Sequence, residues 1–276
     1  MTKGNYKRDE IPKIIHYCWF GKTPLSEGAR KCISSWKIYC PEYEIKEWNE
    51  SNFDLECCDY VKEAYSMKKW AFVSDYARFK ILYEFGGLYF DTDVELIKPM
   101  EPIIKKGPFL GFEENPDPGR GAVAPGLGMG AVPGMKLYHE MIKHYQSLHF
   151  LNKDGSPRFT TVVVYMTDLL YQYGMKREKG IQTVEGISIY PSEFFCPKNY
   201  KTGEMNVTEH TYSIHHYSES WLDEVTKKIH KQEAWFRKKY GRCLGNLIGH
   251  IVVIPLKMKR KILNRKYSLR KKNGCI

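Results

Sequence analysis

Residues 70–85, Trp-Ala-Phe-Val-Ser-Asp-Tyr-Ala-Arg-Phe-Lys-Ile-Leu-Tyr-Glu-Phe, read as an unbroken helix that halts at Gly86-Gly87. Glycine at that point accepts the left-handed backbone that closes a helix. Leu88-Tyr89-Phe90 then reads as a buried strand, and Asp91-Thr92-Asp93 follows at its end. Carboxylates held next to a core cost free energy unless something pairs with them. A chain with this order needs a sheet to receive the strand, a helix packed on that sheet, and a partner for the two acids.

The flanking sequence supplies the sheet. Ile11 to Phe20 is apolar and β-branched, a first buried strand. Ser26 caps a helix over residues 27–38, Tyr43 to Trp48 alternates as a second strand, and 54–68 form a more polar helix. This strand–helix–strand–helix order predicts an α/β sheet. Residues 107–134 are rich in Gly and Pro; the first part reads as a strand and the rest as a loop over the sheet's edge. Long irregular loops in compact domains are usually functional. Helices are predicted at 134–148, 161–172 and 222–240, a short strand within 187–197, and a strand over 212–221 that runs into a loop.

Asp91 and Asp93 thus stand beyond the carboxyl end of a strand, where α/β proteins bind ligands. So placed, they repel each other unless a cation joins them. A hard divalent ion such as Mg²⁺ or Mn²⁺ suits oxygen ligands of this kind. On the preceding helix, Val73, Ala77, Lys80 and Glu84 make one stripe, with Lys80 and Glu84 on its solvent side. Ser74, Asp75 and Arg78 then occupy a face that ought to be apolar. Either Asp75 and Arg78 form a buried ion pair, or they grip a hydroxyl-rich ligand.

The charge is unevenly spread. Of 43 Lys and Arg, 13 lie after Ala234, where no acidic residue occurs, leaving 30 basic against 32 acidic residues before it. A near-neutral body argues against nucleic acid. A basic tail suits an anionic surface. Residues 257–276 interleave Met258, Ile262, Leu263 and Leu269 with Lys and Arg, and Leu244 to Leu256 is apolar but too short to span a bilayer, which needs about 20 residues. A division follows: a catalytic domain at 1–240 and a basic amphipathic tail at 241–276 in contact with a membrane surface. The N-terminal stretch has no apolar signal region. The eight cysteines show no paired CxxC spacing and read as reduced core residues. The expected location is cytoplasmic, peripheral on the inner face of the plasma membrane.

"IPKIIHYCWFG", "WAFVSDYARFKILYEFGGLYFDTDV" and "HHYSESW" together resemble the glycosyltransferases with a sugar-binding Asp-x-Asp motif: initiating mannosyltransferases, capsular-polysaccharide transferases and, distantly, the clostridial glucosylating toxins. The resemblance implies a GT-A-type fold, a mixed central sheet with flanking helices. It also implies a nucleotide-sugar donor, Mn²⁺ or Mg²⁺, and retention at the anomeric carbon by front-face attack. The acceptor would be a saccharide or lipid-linked saccharide in surface polysaccharide biosynthesis. By the same resemblance Trp19 stacks on the donor base, and Ser74, Asp75 and Arg78 hold the donor sugar and its phosphate edge. Tyr89 lies near the donor, Asp91 reaches ribose and metal, and Asp93 ligates the metal. His216, at the family's offset before Trp221, is the second side-chain ligand, while Ser220 and Trp221 contact the diphosphate. The loop 124–134 lies where the family shapes the acceptor and sugar pocket.

Two other readings compete. Asp91-Thr-Asp93-Val resembles the opening motif of haloacid-dehalogenase-type phosphatases, with Asp91 as nucleophile, but Glu95 stands where Thr or Val is wanted and the later acidic motif is missing. A non-catalytic membrane-binding module led by the tail is the other.

Overall fold

In a computed structural model, the structure describes residues 10–116, 119–200, 202–218 and 224–258. These divide into two compact units: one runs to Pro197 and includes Asn206–His216, the other comprises Lys198–Met205 and the chain from Tyr217. The helix predicted at 222–240, placed from the sequence with the catalytic part, groups with the second unit.

The first unit opens with β1 (Ile14–Cys18), α1 (Glu27–Tyr39), β2 (Glu44–Trp48), α2 (Asp59–Ser66), α3 (Trp70–Phe85), β3 (Gly87–Tyr89) and β4 (Val94–Leu96). It continues with α4 (Glu101–Ile104), β5 (Phe109–Glu114), β6 (Ala122–Val123), a 3₁₀ turn at Pro125–Leu127, and β7 (Met129–Ala131). It ends with α5 (Lys136–Gln146), α6 (Val162–Gln172), β8 (Gln182–Val184), β9 (Ile187–Tyr190), α7 (Ser192–Phe195) and β10 (Ser213–His215). The second unit holds α8 (Glu224–Tyr240) and α9 (Arg242–Val252).

The main sheet has the order β2-β1-β3-β7-β5-β9-β8, with β6 paired to β5. β1 runs parallel to β2 and β3, β7 is antiparallel to both neighbours, and β9 is parallel to β5. β4 and β10 form a separate antiparallel pair. This is the mixed central sheet with flanking helices expected of a GT-A-type α/β fold. Ser26 caps α1 as the sequence predicts, its Oγ accepting from Ala29 N–H at 3.1 Å.

Two expectations need correcting. The Gly-rich run does not pass over the sheet's edge: Met129–Ala131 is a central strand between β3 and β5. Its glycines make room for aromatic rings. A Cβ on Gly130 would lie 2.4 Å from the Phe109 ring, and one on Gly128 2.8 Å from the Phe90 ring. Nor does α3 have one apolar face, for Val73 and Ala77 are buried along with Asp75 and Arg78. The helix is covered on nearly every side, so its polar residues are interior by position.

A neutral histidine pins the sheet beneath this helix. His16 on β1 is fully buried; its Nδ1 accepts from Trp48 Nε1–H at 3.1 Å, which leaves Nε2–H to donate to Gly86 O at 3.0 Å. Burial pushes its pKa down to about 4.

Candidate active site

The path into the site is set by the Gly pair. Gly86 (φ 63°) caps α3, donating to Leu82 O, and Gly87 (φ 95°) starts β3. A Cβ on Gly87 would sit 2.6 Å from Ile14 O, and one on Gly86 2.9 Å from Ala131 O. Only glycine combines that backbone with that contact. β3 can therefore begin at once between β1 and β7, and after buried Leu88, Tyr89 and Phe90 the chain reaches the carboxyl edge at Asp91. There Asp91 N–H donates to Gly126 O at 3.2 Å and its C=O accepts from Val94 N–H at 3.0 Å, a turn that presents Asp93.

Arg78 is the hub. Its Nη2 lies 3.0 Å from Asp75 Oδ1 and 3.2 Å from Asp91 Oδ1, and its Nε donates to Ser74 O. The guanidinium carbon stands 5.0 Å over the Tyr89 ring, while Tyr89 Oη donates to the same Asp91 oxygen at 3.1 Å. Burial works against the Arg78 charge, but Asp91 foremost and then Asp75 hold its pKa above the usual arginine value. Burial raises the Asp91 pKa, opposed by Arg78 and reinforced by Asp93. Asp75 is pushed up to about 7 by burial, with Arg78 opposing. Asp75 also accepts from Val162 N–H at the start of α6, where Thr161 gives no side-chain cap.

On the far side of Asp91, the β4–β10 pair brings an imidazole to the motif. His215 Nε2 lies 3.1 Å from Asp93 Oδ1, and ligand atoms of Asp91, Asp93 and His215 all fall within 4.8 Å of one another. Burial lowers the His215 pKa, but Asp93 and Asp91 outweigh it and the net shift is upward. The sequence choice, His216, is not in this group. Its Nε2 meets Glu95 Oε2 at 2.7 Å, and Glu95 also faces Lys31. Ile214 is opposite Glu95 in the β4–β10 pair, so His216, two residues on, falls on the Glu95 side, whereas Asp93 lies in the turn ahead of β4, where its side chain meets His215. Two carboxylates and an imidazole at this spacing fit a divalent cation.

The remaining predicted residues divide into three groups. Trp19 follows β1 at the same carboxyl edge, its Nε1–H donating to Thr23 O at 2.6 Å. It lines a cleft of about 390 Å³ with Lys22, Glu47 and Asn49. Ser74 turns its hydroxyl back to Trp70 O, so its link to Arg78 runs through its carbonyl. Ser220 and Trp221 lie outside the described residues. Sequence reasoning missed Gly126, which packs so closely that a Cβ would lie 2.1 Å from Asp91 Oδ2. A lone Gly among many in 107–134 carried no signal for this.

Residues 26–110 match the family described as the glycosyltransferase sugar-binding region containing DXD motif. Over 120 residues the chain is 28% identical to inositol phosphoceramide mannosyltransferase 1 of Schizosaccharomyces pombe (strain 972 / ATCC 24843), covering 40% of this chain and 36% of that protein. Over 105 residues it is 31% identical to inositol phosphoceramide mannosyltransferase 3 of the same organism, covering 34% and 27%. The chain thus spans about a third of the length of these relatives. A solved structure, PaToxG glycosyltransferase, overlays with a TM-score of 0.44 at 19% identity, covering 59% of this chain and 70% of that one. Asp91-Thr92-Asp93 lies inside the matched residues 26–110, and the chain's likeness to the glycosyltransferase family with the DXD motif rests on that span.

Proposed function

We propose that the protein transfers a hexosyl or N-acetylhexosaminyl group from a nucleoside-diphosphate sugar to a saccharide or lipid-linked saccharide acceptor. The observation that carries this reading is the cluster of Asp91, Asp93 and His215 at a strand's carboxyl edge, backed by the buried Arg78. Asp91, Asp93 and His215 would hold a divalent cation, which when bound supplies positive charge where a diphosphate leaving group develops negative charge.

The chain's own residues supply orientation. Arg78 is fixed at three points and keeps its charge, so it pulls on an oxyanion without first reorganising. Asp75, tied to Arg78 and to the α6 amide, is placed to accept from a sugar hydroxyl. Tyr89 holds Asp91 in one rotamer. Gly126 closes the pocket wall against Asp91 with backbone alone, leaving space that a side chain would take. The mannosyl transfer named in the two relatives makes GDP-mannose a donor to test beside the UDP-sugars. Retention by front-face attack suits a site whose Asp75 and Asp91 carboxylates are already engaged with Arg78 and whose Asp93 is engaged with His215.

Release of nucleoside diphosphate is the direct test, run with Mn²⁺ and UDP-glucose, UDP-galactose, UDP-N-acetylglucosamine, UDP-N-acetylgalactosamine or GDP-mannose in turn. One donor is expected to turn over, chelation to abolish it, and Asp93→Ala to lower it at least about 10²-fold. Hydrolysis of a phosphomonoester with no release from any donor would favour the phosphatase reading, in which Asp91 is a nucleophile.

A further inference from the structure

In an ordinary amphipathic helix the large apolar residues face the partner. α9 reverses this. The stripe it packs against α8 consists of Gly245 and Gly249, followed by Val253. A Cβ on Gly245 would lie 2.4 Å from Phe236 O, and one on Gly249 3.4 Å from Glu233 Cα, so the small residues let the helices approach closely. The large apolar residues are left outside. Leu244, Leu247, Ile251, Ile254 and Met258 recur every three or four positions, and each is 46–62% exposed. The helical path continues past α9, with Lys257 N–H bonded to Val253 O, so the stripe is continuous to Met258.

Five exposed apolar side chains in register on one helical face cost free energy unless something covers them. The surrounding charge selects the cover. After Glu233, whose carboxylate Lys257 neutralises at 2.9 Å, the sequence has no acid and 13 Lys and Arg. Docking a second copy through this face would set basic segment against basic segment. An anionic lipid surface instead offers apolar depth to the stripe and negative charge to the cations around it. At the end of α8, exposed Trp235 and Tyr240 flank Lys239, whose Nζ lies 4.6 Å and 5.3 Å from their ring centroids. Amphipathic rings beside a lysine suit the headgroup layer. The sequence alone points to Met258, Ile262, Leu263 and Leu269 as the apolar contact; the last three lie outside the described residues, and the structure supplies a different and longer stripe.

We infer that the outward face of α9, Leu244 to Met258, is an interfacial surface that seats the protein on anionic membrane. The test is flotation of the full chain with vesicles of phosphatidylcholine, alone or mixed with phosphatidylglycerol. The wild type is expected to float with the mixed vesicles, less with phosphatidylcholine alone, and less as salt rises. Leu247→Gln combined with Ile251→Gln is expected to lower partitioning at least about tenfold with an unchanged melting temperature. If that variant does not fold, Ile254→Gln, beyond the last turn of α9, gives the same test on its own. Partitioning equal to wild type in a folded variant would overturn the inference and leave binding to residues 259–276. Absence of vesicle binding, with a dimer in sedimentation that the variant loses, would overturn it in favour of a second copy.

Discussion

At the β3 edge, charged residues are turned inward: Asp75 is 8% and Arg78 3% exposed. On α9, apolar residues are turned outward, with Leu247 61% and Ile251 57% exposed. Each region inverts the usual distribution, and in each a glycine pair makes it possible. Gly86-Gly87 admits a strand start that delivers Asp91; Gly245 and Gly249 let small residues satisfy the helix contact so that large ones need not. The lesson is that these inversions mark where interactions are left over for something outside the chain. At the first the leftover is a group of ligand atoms on Asp91, Asp93 and His215, and at the second it is apolar area.

The largest effect is expected at the first glycine pair. Gly87→Ala combines a φ of 95° with a Cβ 2.6 Å from a backbone oxygen and should cost at least about 3 kcal/mol, read by urea unfolding. Gly249→Ala, at 3.4 Å and in helical backbone, should be tolerated far better; equal losses would erase the distinction drawn between the two pairs.

Next is the acid limb of stability. The folded pKa of His16, about 4, lies below the unfolded 6.5, so the native state binds fewer protons in between. The His16 contribution is therefore complete above pH 6.5, falls as pH drops, and is lost on passing through about 4. Its size is ~3 kcal/mol from the shift. Unfolding free energies across that window should show the loss in the wild type and a flatter profile in His16→Gln.

A smaller effect separates the two adjacent histidines. His215→Ala should weaken Mn²⁺ binding at least about tenfold by titration calorimetry. His216→Ala breaks a part-exposed pair with Glu95 and should change it by less than about twofold. The reverse ranking would restore the sequence choice. The smallest effect is expected on α9, where Leu247→Gln should leave unfolding free energy within about 0.5 kcal/mol, as substitution of a largely exposed side chain does.

Much of the fold is legible in the chain. β1, α1 and β2 announce themselves by period and caps, α3 by its unbroken run up to Gly86, and the Gly-Gly stop gives β3 and the Asp-x-Asp edge because each signal is local. What stays hidden depends on distant residues. Met129–Ala131 lacks any strand signal of its own; Phe90 and Phe109 supply the bulk its glycines omit. Which histidine meets Asp93 is set by the turn that carries Asp93 ahead of β4, and no pattern within "HHYSESW" contains that turn. Asp75 and Arg78 are visible as misplaced charges, but Gly126 and the Val162 amide meet them only through the fold. α9 reads as a quiet apolar run, since only its packing on α8 shows which side is covered.

The measurement that bears most directly on the site is a thermal-shift comparison of wild type and Asp93→Ala, with Mn²⁺ and each nucleotide-sugar. A ligand that binds only the native state raises the melting temperature by mass action. If Asp91, Asp93 and His215 hold the cation that receives the donor's diphosphate, one donor raises the melting temperature, the rise requires the metal, and it disappears in Asp93→Ala. A rise that survives the substitution, or no rise with any donor in folded protein, would contradict that role for the Asp-x-Asp edge.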